Sequence, residues 1–239
     1  MLGETSANRR VQVPHHAVYI NLDRRPDRHI SIEHQLRLVG LKAKRISAVE
    51  GDKQDLQGCW DHGEKQCAGQ IGCQMSHIRA LEYAISQDWE HVAVFEDDFE
   101  WSERVDPKYV MKALDRVHRL HPDWDLIAIS LNLLNYSFIL PEEIIQISET
   151  ATARVSQIRE AQTTHGYIVR KRFLPKVLDA FQNCDLKLDY MTAIDTCWKA
   201  LQGAYKWYAL VPQLGVQAVG YSDIEKQKVD YMNELNVAA

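Results

Sequence analysis

Apolar runs of strand length alternate with amphipathic stretches of helix length along this chain. Ala17-Val-Tyr-Ile-Asn-Leu22 reads as a short strand, ended by the charged run Asp23-Arg-Arg-Pro-Asp-Arg28. Pro26 then opens a helix that closes at Gly40, since proline suits a first helical turn and glycine a helix end. Residues 44–49 form a second predicted strand, closing on Glu50-Gly51, and 52–69, polar and carrying Gly58, Gly63 and Gly69, read as an exposed loop. Over 70–87, Ile71, Met75, Ile78, Leu81 and Ile85 recur at three- and four-residue spacing, the period of an amphipathic helix.

The run His91-Val-Ala-Val-Phe95 predicts a buried strand, and Asp106-Pro107 an N-cap and first turn for a helix over 107–120. A strand over 126–131 follows. Residues 132–160 mix apolar and polar positions, with a hairpin ending in 154–159. A strand over 166–169, a helix over 173–181 with Pro175 in its first turn, a helix over 193–202 and a strand over 206–211 complete the pattern.

Strands separated by helices predict an α/β fold with a mostly parallel, Rossmann-like sheet flanked by helices. Ligands in such sheets bind beyond the carboxyl ends of the strands. Three polar strand ends would gather there: Asn21 onward, 48–51, and the triplet Glu96-Asp97-Asp98. Without internal repeats or a boundary, the chain reads as one domain over 15–239 behind a flexible segment, 1–14.

The triplet needs a physical reason, because carboxylates stay beside a buried strand only where something pairs with them. Alternation along a strand would point Glu96 and Asp98 one way and Asp97 the other. Two carboxylates on one side suit a hard divalent cation. The competing reading is a solvated acidic loop. A helix first turn does not fit, since the next helix starts only at Asp106.

Composition narrows the picture. The chain has 239 residues, 46% hydrophobic and 26% charged, in the range of globular proteins. A net charge of −5 speaks against a nucleic-acid binder working by bulk electrostatics. No stretch approaches a transmembrane span, and residues 1–14 lack the apolar core of a secretory signal, so the expected location is cytoplasmic. Cys59, Cys67, Cys73, Cys184 and Cys197 form no CxxC pair and read as reduced structural thiols. Cys59, His62, Cys67 and Cys73 fit no standard zinc spacing.

Several segments together resemble glycosyltransferase family 25. They are Tyr19-Ile-Asn-Leu-Asp-Arg-Arg-Pro-Asp-Arg28, Ile46-Ser-Ala-Val-Glu-Gly51, Gly69-Gln-Ile-Gly-Cys-Gln-Met-Ser-His77 and Phe95-Glu-Asp-Asp98. Tyr167-Ile-Val, Ile194-Asp195 and Tyr221-Ser-Asp-Ile224 follow in the same order, so the resemblance spans about residues 17 to 225. Departures fall at Gln70, where the family usually carries Glu, and in 52–68 and 132–154; they bear on the acceptor more than on the fold.

The resemblance implies a GT-A type fold, a nucleotide-sugar donor (UDP-galactose the commonest) and a manganese ion, with magnesium equally suited to an oxygen site. It makes Glu96 and Asp98 the metal candidates. Asn21, Leu22, Arg28, Ala48, Ser76, His77 and Asp97 become candidates for donor binding, Arg28 because its guanidinium fork matches phosphate oxygens. For an inverting reaction on a glycan or glycoprotein acceptor, the carboxylate base is Asp195 on the Ile-Asp motif, with Asp223 in reserve. The structural alternative for Asp195 is a capping box begun by Thr192. His165, Gln217, Ser222 and Asp223 are further candidates for substrate contact. Another UDP-sugar (glucose or an N-acetylhexosamine), a phosphohydrolase and a non-catalytic nucleotide binder remain as alternatives.

Overall fold

β1 (His16–Asn21) pairs in parallel with β2 (Ala43–Ser47) on one side and β3 (His91–Glu96) on the other. The computed structural model describes residues 13–57, 64–186, 192–224 and 227–229. Between β1 and β2 runs α1 (Pro26–Leu38), between β2 and β3 α2 (Glu64–Ser86). After β3 come a short β4 (Phe99–Trp101), α3 (Pro107–Leu120) and β5 (Leu126–Phe138). The chain continues through β6 (Ile144–Gln146), the long β7 (Thr152–Arg170), α4 (Leu174–Gln182), α5 (Ile194–Cys197), α6 (Lys199–Ala204), β8 (Trp207–Val211) and β9 (Gly215–Gln217).

The main sheet has the order β2-β1-β3-β7-β5-β8. All of these strands run one way except β7, which is antiparallel to both β3 and β5. The mixed α/β class with a mostly parallel sheet is therefore the one expected, and the reversal has a simple cause. β5 and β7 form one long hairpin, and hairpin partners must run in opposite directions. The segment 132–160, which has no clean period, is that hairpin.

Alternation along each strand feeds two cores. Ala17, Tyr19, Ala93 and Phe95 face α1 and α3, while Val18, Ile20, Val92 and Val94 face α2 and α4. With both faces buried, the strands read as continuous apolar runs. In α3, Val110, Ala113, Leu114 and Val117 form the buried stripe, and the Asp106 carboxylate accepts from Lys108 N (3.1 Å), a cap contributing about 1 kcal/mol.

Four expectations need correction. α2 begins at Glu64, inside the segment read as loop, and Gly69 lies within it, where its lack of a side chain admits Ile224 rather than making a turn. The helix expected over 193–202 is two pieces, α5 and α6, broken at Trp198. The capping box does not use Thr192 and Asp195: Thr196 Oγ1 turns back to Ala193 N (3.2 Å) and Ala193 O (2.7 Å). The cysteines are not all reduced: Cys184 and Cys197 form a disulfide and Cys67 is disulfide-bonded as well. Of 1–14 only residues 13 and 14 are described, with Val13 fully buried; Cys59 and His62 lie outside the described residues.

Candidate active site at the carboxyl edge of the sheet

Register alignment brings the ends of β1, β2 and β3 together, with Asn21 beside Ser47 and Ile20 beside Glu96. Asn21 is buried and its amide fully used. Nδ2 donates to Asp97 Oδ2 (2.7 Å) and Arg25 O (3.0 Å), and Oδ1 accepts from Arg45 Nε (2.9 Å). Arg28, reaching back from α1, donates to Asp97 Oδ1 (2.8 Å) and Asp98 Oδ2 (3.3 Å). Burial, then the neighbouring Asp98, push the Asp97 pKa up to about 6, against the pull of Arg28 and Asn21.

β3 ends at Glu96, so residues 97 and 98 lie in a turn, not in a continuing strand. The turn nevertheless separates the carboxylates. Asp97 goes to Asn21 and Arg28, while Glu96 and Asp98 converge with His165 so that one ligand atom of each lies within 4.8 Å of the others. Glu96 Oε1 accepts from Thr164 Oγ1 (2.6 Å) and meets His77 Nε2 at 3.2 Å; His77 Nδ1 meets Tyr167 Oη at 2.9 Å. Burial, reinforced by Glu96 and Cys73, holds the Tyr167 phenol well above its usual pKa, so its hydroxyl stays protonated beside Nδ1 while Nε2 faces Glu96. Burial by itself raises the Glu96 pKa, but His77, His165 and Thr164 outweigh it and keep the carboxyl ionised.

Beside this cluster opens a pocket of about 340 Å³. One wall is the contact between the chain leaving β2 and α2, and two glycines make it possible. A methyl group on Gly51 would lie 1.6 Å from Ala68 O, and one on Gly72 2.6 Å from Val49 O. Ser76 ties the same contact, accepting from Val49 N (2.8 Å) and donating to Gly72 O (2.5 Å). The opposite rim is residues 217–224. Ala218 N donates to Asp98 O (2.7 Å), Gln217 Nε2 to Asp98 Oδ2 (3.1 Å) and Arg28 Nη2 to Tyr221 O (2.7 Å). Asp223 accepts from Arg24 (2.7 Å) and Arg25; burial opposes its ionisation, and the two guanidinium groups overcome that and lower its pKa.

Asn21, Leu22, Arg28 and Ala48 line the pocket, as do Ser76, Asp97, Asp98, Gln217, Ser222 and Asp223. His77 is fully buried behind the wall, against Glu96, and Asp195 accepts from Thr163 N (2.7 Å) on the far side of the cluster. Sequence reasoning missed Thr164, whose hydroxyl holds Glu96, and the pair Arg24 and Arg25, which hold Asp223. The charged run after β1 was a signal for the arginines; nothing in the local sequence singles out Thr164.

A family profile described as glycosyltransferase family 25 (LPS biosynthesis protein) matches residues 15–196. The chain belongs to glycosyltransferase family 25. A "Glycosyltransferase 25 family member" of Aedes aegypti is 33% identical over 128 residues, 47% of this chain and 20% of that protein. Human "Procollagen galactosyltransferase 2" is 25% identical over 177 residues, 67% of this chain and 27% of that protein. A rat protein named "Probable inactive glycosyltransferase 25 family member 3" is 23% identical over 201 residues, 72% of this chain and 34% of that one. The family 25 chain thus aligns with about a fifth to a third of the length of these relatives. Among solved structures, it is similar to a glycosyltransferase involved in the glycosylation of the major capsid of PBCV-1, with TM-score 0.46 and 7% identity over 88% of this chain and 95% of that one.

Proposed function

We propose that this family 25 chain is a metal-dependent glycosyltransferase that moves a sugar, galactose first among candidates, from a UDP-sugar to a hydroxyl of a glycan or glycoprotein. The observation that carries the reading is the convergence of Glu96, Asp98 and His165 at the edge of the pocket. There Asp98 Oδ1, His165 Nδ1 and Gln217 Oε1 are buried without a hydrogen-bond partner among the described residues. Buried polar atoms are rarely left unpaired, and two carboxylates with an imidazole are a donor set for a divalent first-row cation. The residues fit Mn2+, and the imidazole favours it over Mg2+.

When bound, the ion supplies Lewis-acid neutralisation of the charge that builds on the departing diphosphate. The protein's own groups do the rest. Thr164 and the Tyr167–His77 pair hold Glu96 in one orientation, as outer partners of a metal ligand do. Arg28 presents a guanidinium at the pocket where phosphate oxygens would lie, and Asn21 keeps Asp97 turned toward it. The galactose preference rests on the name of the human relative alone. The Cys184–Cys197 bridge favours an oxidising compartment over the cytoplasm as the working location.

Purified protein, Mn2+ and a panel of UDP-galactose, UDP-glucose and UDP-N-acetylhexosamines test the reading through nucleoside diphosphate release, with and without chelator. Release should need both a UDP-sugar and the metal. No release from any sugar nucleotide, together with hydrolysis of a phosphate ester, would sink it. Nucleotide binding without release would mark a non-catalytic relative.

A further inference from the structure

Thr163 carries a φ of +66°, a left-handed conformation that is a genuine outlier for a β-branched residue. It lies where the β5–β7 ladder breaks. Between the pairs Ser130↔Gly166 and Asn132↔Gln162, β7 runs through residues 163, 164 and 165 while β5 runs through one residue. Such a bulge re-aims side chains and leaves backbone groups without ladder partners. Here two of the groups at the break have specific partners. Thr163 N donates to Asp195 Oδ2 (2.7 Å), and Thr163 Oγ1 accepts from Asn132 N (3.1 Å). The next two residues are the ones that enter the cluster: Thr164 donates to Glu96, and His165 sits against Glu96 and Asp98.

We propose that Asp195 is a positioning residue: its carboxylate, as acceptor for Thr163 N–H, holds the 163–165 bulge in the conformation that delivers Thr164 and His165 to Glu96 and Asp98. The proposal rests on the metal reading above and gives Asp195 a role other than general base. Its position is itself fixed. α5 is tied to the end of α4 through Cys197–Cys184, and Cys184 O accepts from Gln74 Nε2 (2.8 Å) of α2. The strained backbone at Thr163 is thus imposed by a partner on a braced element, which is how such strain persists at functional sites.

The role needs a hydrogen-bond acceptor and no proton transfer, so the amide of Asp195→Asn should substitute and Asp195→Ala should not. Three readouts separate the possibilities: Mn2+ affinity by electron paramagnetic resonance, nucleoside diphosphate release from UDP-galactose, and the 1H–15N histidine spectrum of the metal-free protein. Asp195→Ala should weaken Mn2+ binding by about 10- to 100-fold, the usual effect of losing an outer partner of a metal site, and shift the His165 resonances. Asp195→Asn should hold Mn2+ affinity within about threefold and recover most of the turnover lost in the alanine variant, since an amide oxygen still accepts the backbone N–H, though without charge assistance.

In Asp195→Ala/Thr163→Gly, glycine takes the positive φ without strain, so Mn2+ affinity should rise above that of the single alanine variant. Normal Mn2+ affinity with collapsed turnover in Asp195→Asn would overturn the proposal in favour of a base. Wild-type Mn2+ affinity and an unshifted His165 in Asp195→Ala would overturn it outright. If the wild-type protein binds no Mn2+, the metal reading fails, and the histidine spectrum still decides whether Asp195 sets the bulge.

Discussion

Asn21 and Asp97, 76 positions apart in the chain, meet across 2.7 Å and lock the end of β1 to the turn after β3. This bond divides the acidic triplet. It holds Asp97 between Asn21 and Arg28, while Asp98, which Arg28 also reaches at 3.3 Å, converges with Glu96 and His165.

Asp97 should therefore set an inverted pH dependence. Its pKa in the fold is raised, from 3.8 to about 6, so the folded state holds the proton more tightly than the unfolded chain. Its contribution is fully present below about pH 4 and is lost as pH rises through 6. At 1.36 kcal/mol per unit, the ionised carboxylate opposes folding at pH 8 by at most about 3 kcal/mol. Asp97→Asn, which does not titrate, should remove this part of the fall in melting temperature between pH 4 and pH 8. Equal shifts at both pH values would show that Asp97 is not the group responsible.

Asp98→Ala should abolish metal-dependent turnover in a folded protein. It also removes the like charge that helps raise Asp97, so the Asp97 titration should move down toward the ordinary carboxylate range. Mn2+ binding and melting curves at several pH values report the two effects separately. Retained Mn2+ affinity would take Asp98 out of the metal site.

Tyr167→Phe removes the hydroxyl that pairs with His77 Nδ1 while leaving the ring packed against Trp198. The expected loss is about 1 to 3 kcal/mol of stability, because a buried imidazole nitrogen is left without its partner. Mn2+ affinity should fall as well, as the imidazole is freed to turn from Glu96. Chemical denaturation and metal titration measure the two.

Reducing the Cys184–Cys197 bridge, or replacing both cysteines by serine, should destabilise the fold by roughly 3 kcal/mol, the figure for a loop of this size. The sequence separation is 13. Because α5 carries Asp195, Mn2+ affinity should drop in parallel. A melting temperature insensitive to reductant would contradict this.

The apolar strands β1 and β3, the stripe of α3 and the proline at the head of α1 are legible from local pattern, since each depends on period-2 or period-3.6 burial and on capping chemistry. The ordered motifs from Tyr19 to Ile224 likewise carry the family resemblance in the sequence alone. Less legible was α2, whose start at Glu64 lies in a stretch that looks like loop. Gly69 reads as part of that loop, yet it sits in the helix, as Gly72 does. Their lack of a side chain lets Ile224, Val49 and Gly51 approach closely, which is a property of the partner segments.

What the chain determined by itself is therefore the alternation of strands and helices, the acidic triplet at a strand end and the family. Tertiary structure alone decided that β7 runs backwards between β3 and β5, that Thr164 and His165 reach Glu96 from that strand, and that Asp195 holds Thr163. The hydrogen bonds among them join residues 32 and 68 positions apart, meeting in a register set by the hairpin and the sheet order. No local period encodes such a register, because a hydrogen bond across strands depends on where both strands have been placed.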